Sequence, residues 1–288
     1  MLASPQLEVM HMTNILVPIE SHSSVDSVLQ TALLIARRFE GYIEGMPLGP
    51  DLPDLVAFDM PVSWTITDQN TWKELADEAH RKFEAFMAAH GVAARGPGAQ
   101  GVTYGWTGER SFGDSQIGSY GRIFDCTVLG RPGADRGDPR MATAEAALFE
   151  SGRPIILAPP ASPATLGDTV VIAWNQSMET ARATAMAMPM LRKARKVVIM
   201  TIDDFRSEGP SGEQMAEMLQ HSGIPAEYVL RKANGRNSGE AILRGVEALG
   251  GDVLVKGAYT QSRLRQMFFG GATSHIMSNA TVPVFMTS

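Results

Sequence analysis

The same run of elements occurs twice along this 288-residue chain, and the duplication limits the fold more than any other feature. Asn14 to Glu20 reads NILVPIE and Thr169 to Asn175 reads TVVIAWN. Both are short β-branched apolar runs, each followed by a Ser-containing turn and a long helical pattern (Val25 to Phe39, then Glu179 to Lys193). An apolar run bounded by turn residues fits a strand buried on both faces, as in a parallel sheet. Further on, DCTVLGRPG (Asp125 to Gly133) aligns with DVLVKGAYT (Asp252 to Thr260), and GRPIILAP (Gly152 to Pro159) with TVPVFMTS (Thr281 to Ser288). The first half adds strands at YIEGMPL and VTYGWTG and helices near Thr71 to His90 and Asp114 to Ile123. The second adds KVVIMTI and AEYVLRKA with helices near Gly212 to His221 and Gly239 to Leu249. Five strands alternating with four helices in each half imply a parallel α/β sheet with right-handed crossovers and helices on both faces. PPASPATLGD, Pro159 to Asp168, reads as the linker, so the expected domains are 1–161 and 165–288. Pro189 is expected to end or bend the helix it interrupts. Gly49 to Asn70 has no counterpart and reads as a surface insertion or as a lid or interface loop.

The totals narrow the class. Hydrophobic residues at 44% suit packed cores, and a net charge of -6 gives no basic footprint for nucleic acid. No stretch approaches the length of a membrane span, and the N-terminus lacks the pattern of a signal peptide. The single Cys126 excludes an internal disulfide framework and reads as a buried inert thiol. The expectation is a cytoplasmic protein with no membrane and no nucleic-acid partner.

Open parallel sheets bind ligands beyond the carboxyl ends of their strands, where strand order reverses. In the second half the strand ending at Gly257 leads through a loop to Gly270 and Gly271, which precede the helical run Ala272 to Asn279. Paired glycines at a helix start expose backbone N–H groups, and these with the helix dipole favour phosphate oxygens. Thr273 and Ser274 add hydroxyl donors, and Arg263 and Arg265 in the loop either meet phosphates or are solvated. The six histidines show no metal-ligand spacing, and no metal site is expected from them. Asp203 and Asp204 read as a solvated turn, or as carboxylates beside a Mg²⁺ ion bound to phosphates. There is no nucleophile elbow, no Walker lysine and no paired catalytic carboxylates, so no catalytic residue is assigned.

The chain as a whole resembles a tandem member of the universal stress protein family. The resemblance rests on IAWNQSMETARA and on the spacing Gly257, two residues, Thr260, nine residues, Gly270, Gly271. The family's nucleotide-binding motif has Gly where Thr260 stands and Ser or Thr where Gly271 stands. The resemblance implies two doubly wound five-stranded domains of strand order 3-2-1-4-5, related by a pseudo-twofold through the fifth strands. It also implies an adenine nucleotide, ATP or AMP, in the second half. Trp174 and Asn175 would face adenine or ribose, Gly257 would let ribose and phosphates cross the strand, and Gly270, Gly271, Thr273 and Ser274 would hold phosphates. In the first half Glu20 stands at the strand-one acid position and Gly130 and Gly133 keep the first glycines. The loop there shortens to Ala134–Arg140, it carries Asp135 and Asp138, and Met141 and Ala142 take the helix-start places. That half is expected to be a degenerate structural partner, since side chains obstruct phosphate and two carboxylates repel it. The chain would form an intramolecular pseudo-dimer and, as an open alternative, a homodimer. The rival expectation is a scaffold with both sites lost, binding a protein partner or another small ligand. Adenylyl transfer is disfavoured, because the places after the first strands read ESHSS and NQSME.

Overall fold

The computed structural model describes residues 12–19, 22–49, 69–108, 113–133, 135, 137–258 and 271–288, with side chains of the helix at 69–72 left aside. Strand β1 (Asn14–Ile19) enters α1 (Val25–Phe39), then β2 (Tyr42–Pro47), α2 (Gln69–Ala89), a two-residue β3 (Ala93–Ala94) and β4 (Thr103–Trp106). There follow α3 (Asp114–Tyr120) with a 3₁₀ turn at Gly121–Ile123, β5 (Cys126–Gly130), α4 (Met141–Glu150) and β6 (Ile155–Ala158). The second half runs β7 (Thr169–Ala173), α5 (Met178–Met186), α6 (Met188–Lys193), β8 (Lys196–Ile202), α7 (Gly212–His221) and β9 (Ala226–Arg231). It closes with α8 (Ser238–Ala248), β10 (Val253–Gly257), α9 (Ala272–Asn279) and β11 (Val284–Thr287).

All eleven strands join one sheet in the order β3-β4-β2-β1-β5-β6-β11-β10-β7-β8-β9. Counting only the five principal strands, each half runs third, second, first, fourth, fifth. Every pairing within a half is parallel, whereas β6 and β11 meet antiparallel with Phe285 opposite Ile156. The fifth strands therefore end neither half as an open edge; each covers the other's backbone donors and acceptors.

The period-two alternation sorts the strands' side chains into two cores. Ile15, Val17, Val170, Ile172, Val253 and Val255 pack on the face covered by α1, α2, α5, α6 and α7. Leu16, Val171 and Leu254 lie on the face covered by α3, α4, α8 and α9. Both cores draw residues from both halves, so the sandwich has three layers with buried strands throughout.

Two expectations change in detail. The helix read as one from Glu179 to Lys193 is two, breaking at Ala187 with Pro189 in the first turn of α6. Proline lacks the N–H that α6 does not need there. The pair Ala93–Ala94 forms a short edge strand that has no alternating pattern to announce it. Most of the 49–70 insertion lies outside the described residues. Cys126 is fully buried, and burial pushes its thiol pKa up. Among the described residues no helix is long and apolar enough to cross a membrane, and no cluster of acids, histidines or cysteines could hold a metal.

Candidate functional site

Strand order reverses between β7 and β10, the crevice where ligands of such sheets sit. A cavity of about 490 Å³ opens there, at the carboxyl ends of β7, β8 and β10. Ala173, Trp174 and Asn175 supply one wall, and Met200 and Ile202 supply the floor beside them. Ser238 and Ile242 of α8 and Gly271, Ala272 and Thr273 at the start of α9 close the other side. The segment after β8 forms the rim with Asp204, Phe205, Arg206 and Ser207.

The local reasons for this geometry are legible. Trp174 is buried, its Nε1 donating to Pro210 O at 2.9 Å, so the indole braces the rim segment against β7. Asn175 accepts Thr180 Oγ1 at 2.6 Å on its side-chain oxygen, while Ser177 caps α5 through Thr180 N–H. Ser207 N–H donates to Asn175 O, which fixes the rim over the strand end. Gly257 lines the cavity, yet the place a Cβ would take faces α5, 2.5 Å from Thr180 N. Its lack of a side chain serves the packing of α5 against β10. Gly271 is the N-cap of α9 and, as a glycine, brings no side-chain cap of its own. Thr273 is buried and lines the cavity, whereas Ser274 is half-buried beside it and His275 packs against Gly239. Asp203 pairs with Arg206 at 2.7 Å, and Asp204 accepts Ala233 N–H. Thr260, Arg263, Arg265, Gly270 and Glu20 lie outside the described residues.

The residue that sequence reasoning missed is Lys256. It is only 6% exposed and still lines the cavity, its Nζ donating to Thr273 Oγ1 at 2.9 Å and to Gly257 O at 2.6 Å. Burial lowers its pKa to about 8 against a weaker opposing pull from Glu179. A lysine inside the otherwise apolar run VLVKG was the signal available.

The first half builds the same crevice and fills it from within. A Cβ on Gly130 would stand 2.9 Å from Pro139 Cβ and 3.2 Å from His22 Cε1, and one on Gly133 would collide with Asp138. The two strand-end glycines thus accommodate the chain's own side chains. Helix α4 starts at Met141 with Arg140 as N-cap, so Arg140 stands where Gly271 stands in the second half. This shifts by two residues the sequence alignment that put Met141 and Ala142 there. Asp114 of α3 reaches that helix start, accepting Thr143 Oγ1 at 2.6 Å and pairing with Arg140 at 3.1 Å. An internal carboxylate thus stands beside the first turn of α4. A cavity of about 370 Å³ lies between β2, the segment after β4 and α3, lined by Met46, Thr107, Gln116, Ser119 and Tyr120.

A universal stress protein from Archaeoglobus fulgidus superposes with a TM-score of 0.65 at 16% identity, covering 96% of this chain and 97% of that one. The chain has the universal stress protein fold. A functionally unknown protein from Pseudomonas aeruginosa matches at TM-score 0.52 and 14% identity, over 96% of this chain and 92% of its own length. Both alignments span both halves, so the universal stress protein fold extends over the whole molecule and not one half alone. No protein-family model and no curated protein matches the sequence.

Proposed function

We propose that this chain is a cytoplasmic stress-response protein that binds an adenine nucleotide, ATP or AMP, in the second-half cavity without catalysing more than slow hydrolysis. The observation that carries the reading is the cavity's position: at the strand-order switch, lined by the buried Lys256 and by the start of α9, whose N-cap is Gly271. Trp174 and Asn175 stand on the side suited to base and ribose. Gly271 and Thr273 stand on the side suited to phosphates, with Gly257 and Ser274 beside them; the reading also assigns phosphate contacts to Thr260, Arg263, Arg265 and Gly270, which lie outside the described residues, and takes Mg²⁺ as an accompanying ion. The first half, with Pro139, His22 and Asp114 in its crevice, acts as the structural partner in an intramolecular pseudo-dimer. Binding then biases conformation or partner contacts. The chain itself pairing as a homodimer is compatible with this.

Titration calorimetry with ATP, ADP and AMP tests the reading. Wild type binds at least one of them below millimolar concentration and Gly271→Glu loses it, because a carboxylate at the helix start repels phosphate. Silence at millimolar nucleotide overturns the proposal. A second reading is favoured by the filled first-half crevice: a scaffold that binds a protein partner or another small ligand and no nucleotide. Native mass spectrometry of the purified protein separates the two, since a co-purifying ligand other than a nucleotide supports the second.

A further inference from the structure

The two halves differ at one buried position in a way the fold does not demand. The strand ending Val128-Leu129-Gly130 in the first half corresponds to Val255-Lys256-Gly257 in the second. Leu129 and Lys256 are both buried, at 4% and 6% exposure, on the same face of the same sheet. An apolar side chain therefore satisfies this place, and a lysine there costs desolvation that leucine does not. Among the described residues, Lys256 has no carboxylate within ion-pair distance, although buried cations are ordinarily paired. Its two hydrogen bonds go to neutral oxygens, which do not offset the charge.

What the ammonium does face is open cavity and the beginning of α9. That eight-residue helix carries the positive end of its dipole there, and its N-cap is a glycine. Cation and helix start stand together in the cavity lining, joined through Thr273, and both favour an anion. The contrast with the first half is direct. There Asp114 brings a carboxylate to the start of α4, and the position of the lysine is Leu129. Among the described residues the second half brings no carboxylate to its helix start, and it keeps the cation.

We propose that Lys256 is the anion anchor of the second-half cavity, holding a phosphate group of the ligand between its ammonium and the first turn of α9. The site rests on the cavity of the proposed nucleotide reading but not on adenine recognition; it takes any small phosphorylated molecule that fits. Among the described residues the other charged groups around it are Glu179 on α5 and Asp204 and Arg206 on the rim, while α8 lines the cavity with Ser238 and Ile242. Only the protonated lysine anchors an anion, and burial already lowers its pKa to about 8. Affinity is therefore full below pH 8 and falls as pH rises above it, and binding near pH 8 takes up a fraction of a proton.

The test uses the full chain, with inorganic phosphate, pyrophosphate and ATP as probes, comparing wild type with Lys256→Leu and Lys256→Met. Both replacements are apolar, and Leu129 shows that the fold accepts one at this place, so thermal melts should show them folded and at least as stable. Expected are a loss of affinity of at least about tenfold for each probe that wild type binds, and proton uptake at pH 8 that disappears in the variants. If ATP binds equally to wild type and variants, the anchor is wrong while the nucleotide reading stands. If phosphate and pyrophosphate bind through Lys256 but ATP does not bind, the anchor stands and the nucleotide reading falls. Wild type that binds none of the three overturns both.

Discussion

His22 shows how a single side chain can tie the first half to pH. Its Nδ1 accepts the Ser24 N–H at 3.1 Å, at the start of α1, and its ring lies beside Gly130 and Pro139. An accepting Nδ1 must be unprotonated. Burial, against an opposing pull from Asp138 and with a small push from Lys82, holds the imidazole pKa at about 4. The unfolded chain titrates near the ordinary value, so it binds more protons between roughly pH 6.5 and 4. The contribution of His22 is present above that window and lost as pH falls through it. Denaturation titrations should show wild type losing about 2–3 kcal/mol more than His22→Gln across the window. Equal acid slopes in the two proteins would sink this assignment. At this scale the sequence was only partly readable. The glycines at 130, 133, 257 and 271 stood out, but which group each one faces depends on chains folded from elsewhere: Pro139, Asp138 and α5. Lys256 was passed over because it sits inside a run read for its apolar character.

Among the elements, helix contacts rest on missing side chains. Gly118 lets α3 approach α4 so closely that a Cβ would lie 2.6 Å from Ala146 O and 2.8 Å from Glu150 Cβ. Backbone cannot yield as a flexible side chain can, so Gly118→Ala should cost about 1–3 kcal/mol. Gly96 has nothing within 4 Å of its Cβ position, and alanine there should leave the melting temperature unchanged or slightly higher. Thermal melts of the two variants check the contrast, and equal shifts would contradict it. Element identity was the most legible level. Buried strands announce themselves as apolar runs, and α9 spans the run Ala272–Asn279 read from the sequence. The division of α5 from α6 followed from Pro189. The two-residue β3 did not, because its alanines carry no alternation.

For the whole molecule, the seam is more than β6 against β11. Arg38 leaves α1 and donates to Leu166 O at 3.0 Å, Gly167 O at 2.7 Å and Lys193 O at 2.6 Å, with Asp168 at 3.3 Å. Lys193 returns the contact to Arg38 O, its ammonium lying over the Phe39 ring at 4.9 Å from the centroid. One guanidinium thus ties α1 to the linker and to α6. Arg38→Ala should lower stability by about 2–4 kcal/mol and speed amide exchange at 166–168. If exchange there is unchanged, the seam does not depend on Arg38. The repeat foretold a join through the fifth strands only by way of the family resemblance; nothing in the sequence pointed to Arg38, whose partners lie more than a hundred residues away.

The antiparallel seam has a consequence for how the two halves can differ. Because β6 and β11 run opposite ways, the crevices of the two halves open toward opposite margins of the sheet. A pair of identical chains joined in this manner must fill both crevices or neither, since every substitution appears twice. A single continuous chain escapes that constraint. It can plug one crevice with Pro139, His22 and Asp114 as fixed internal ballast, and leave the other hollow with a buried cation in its lining.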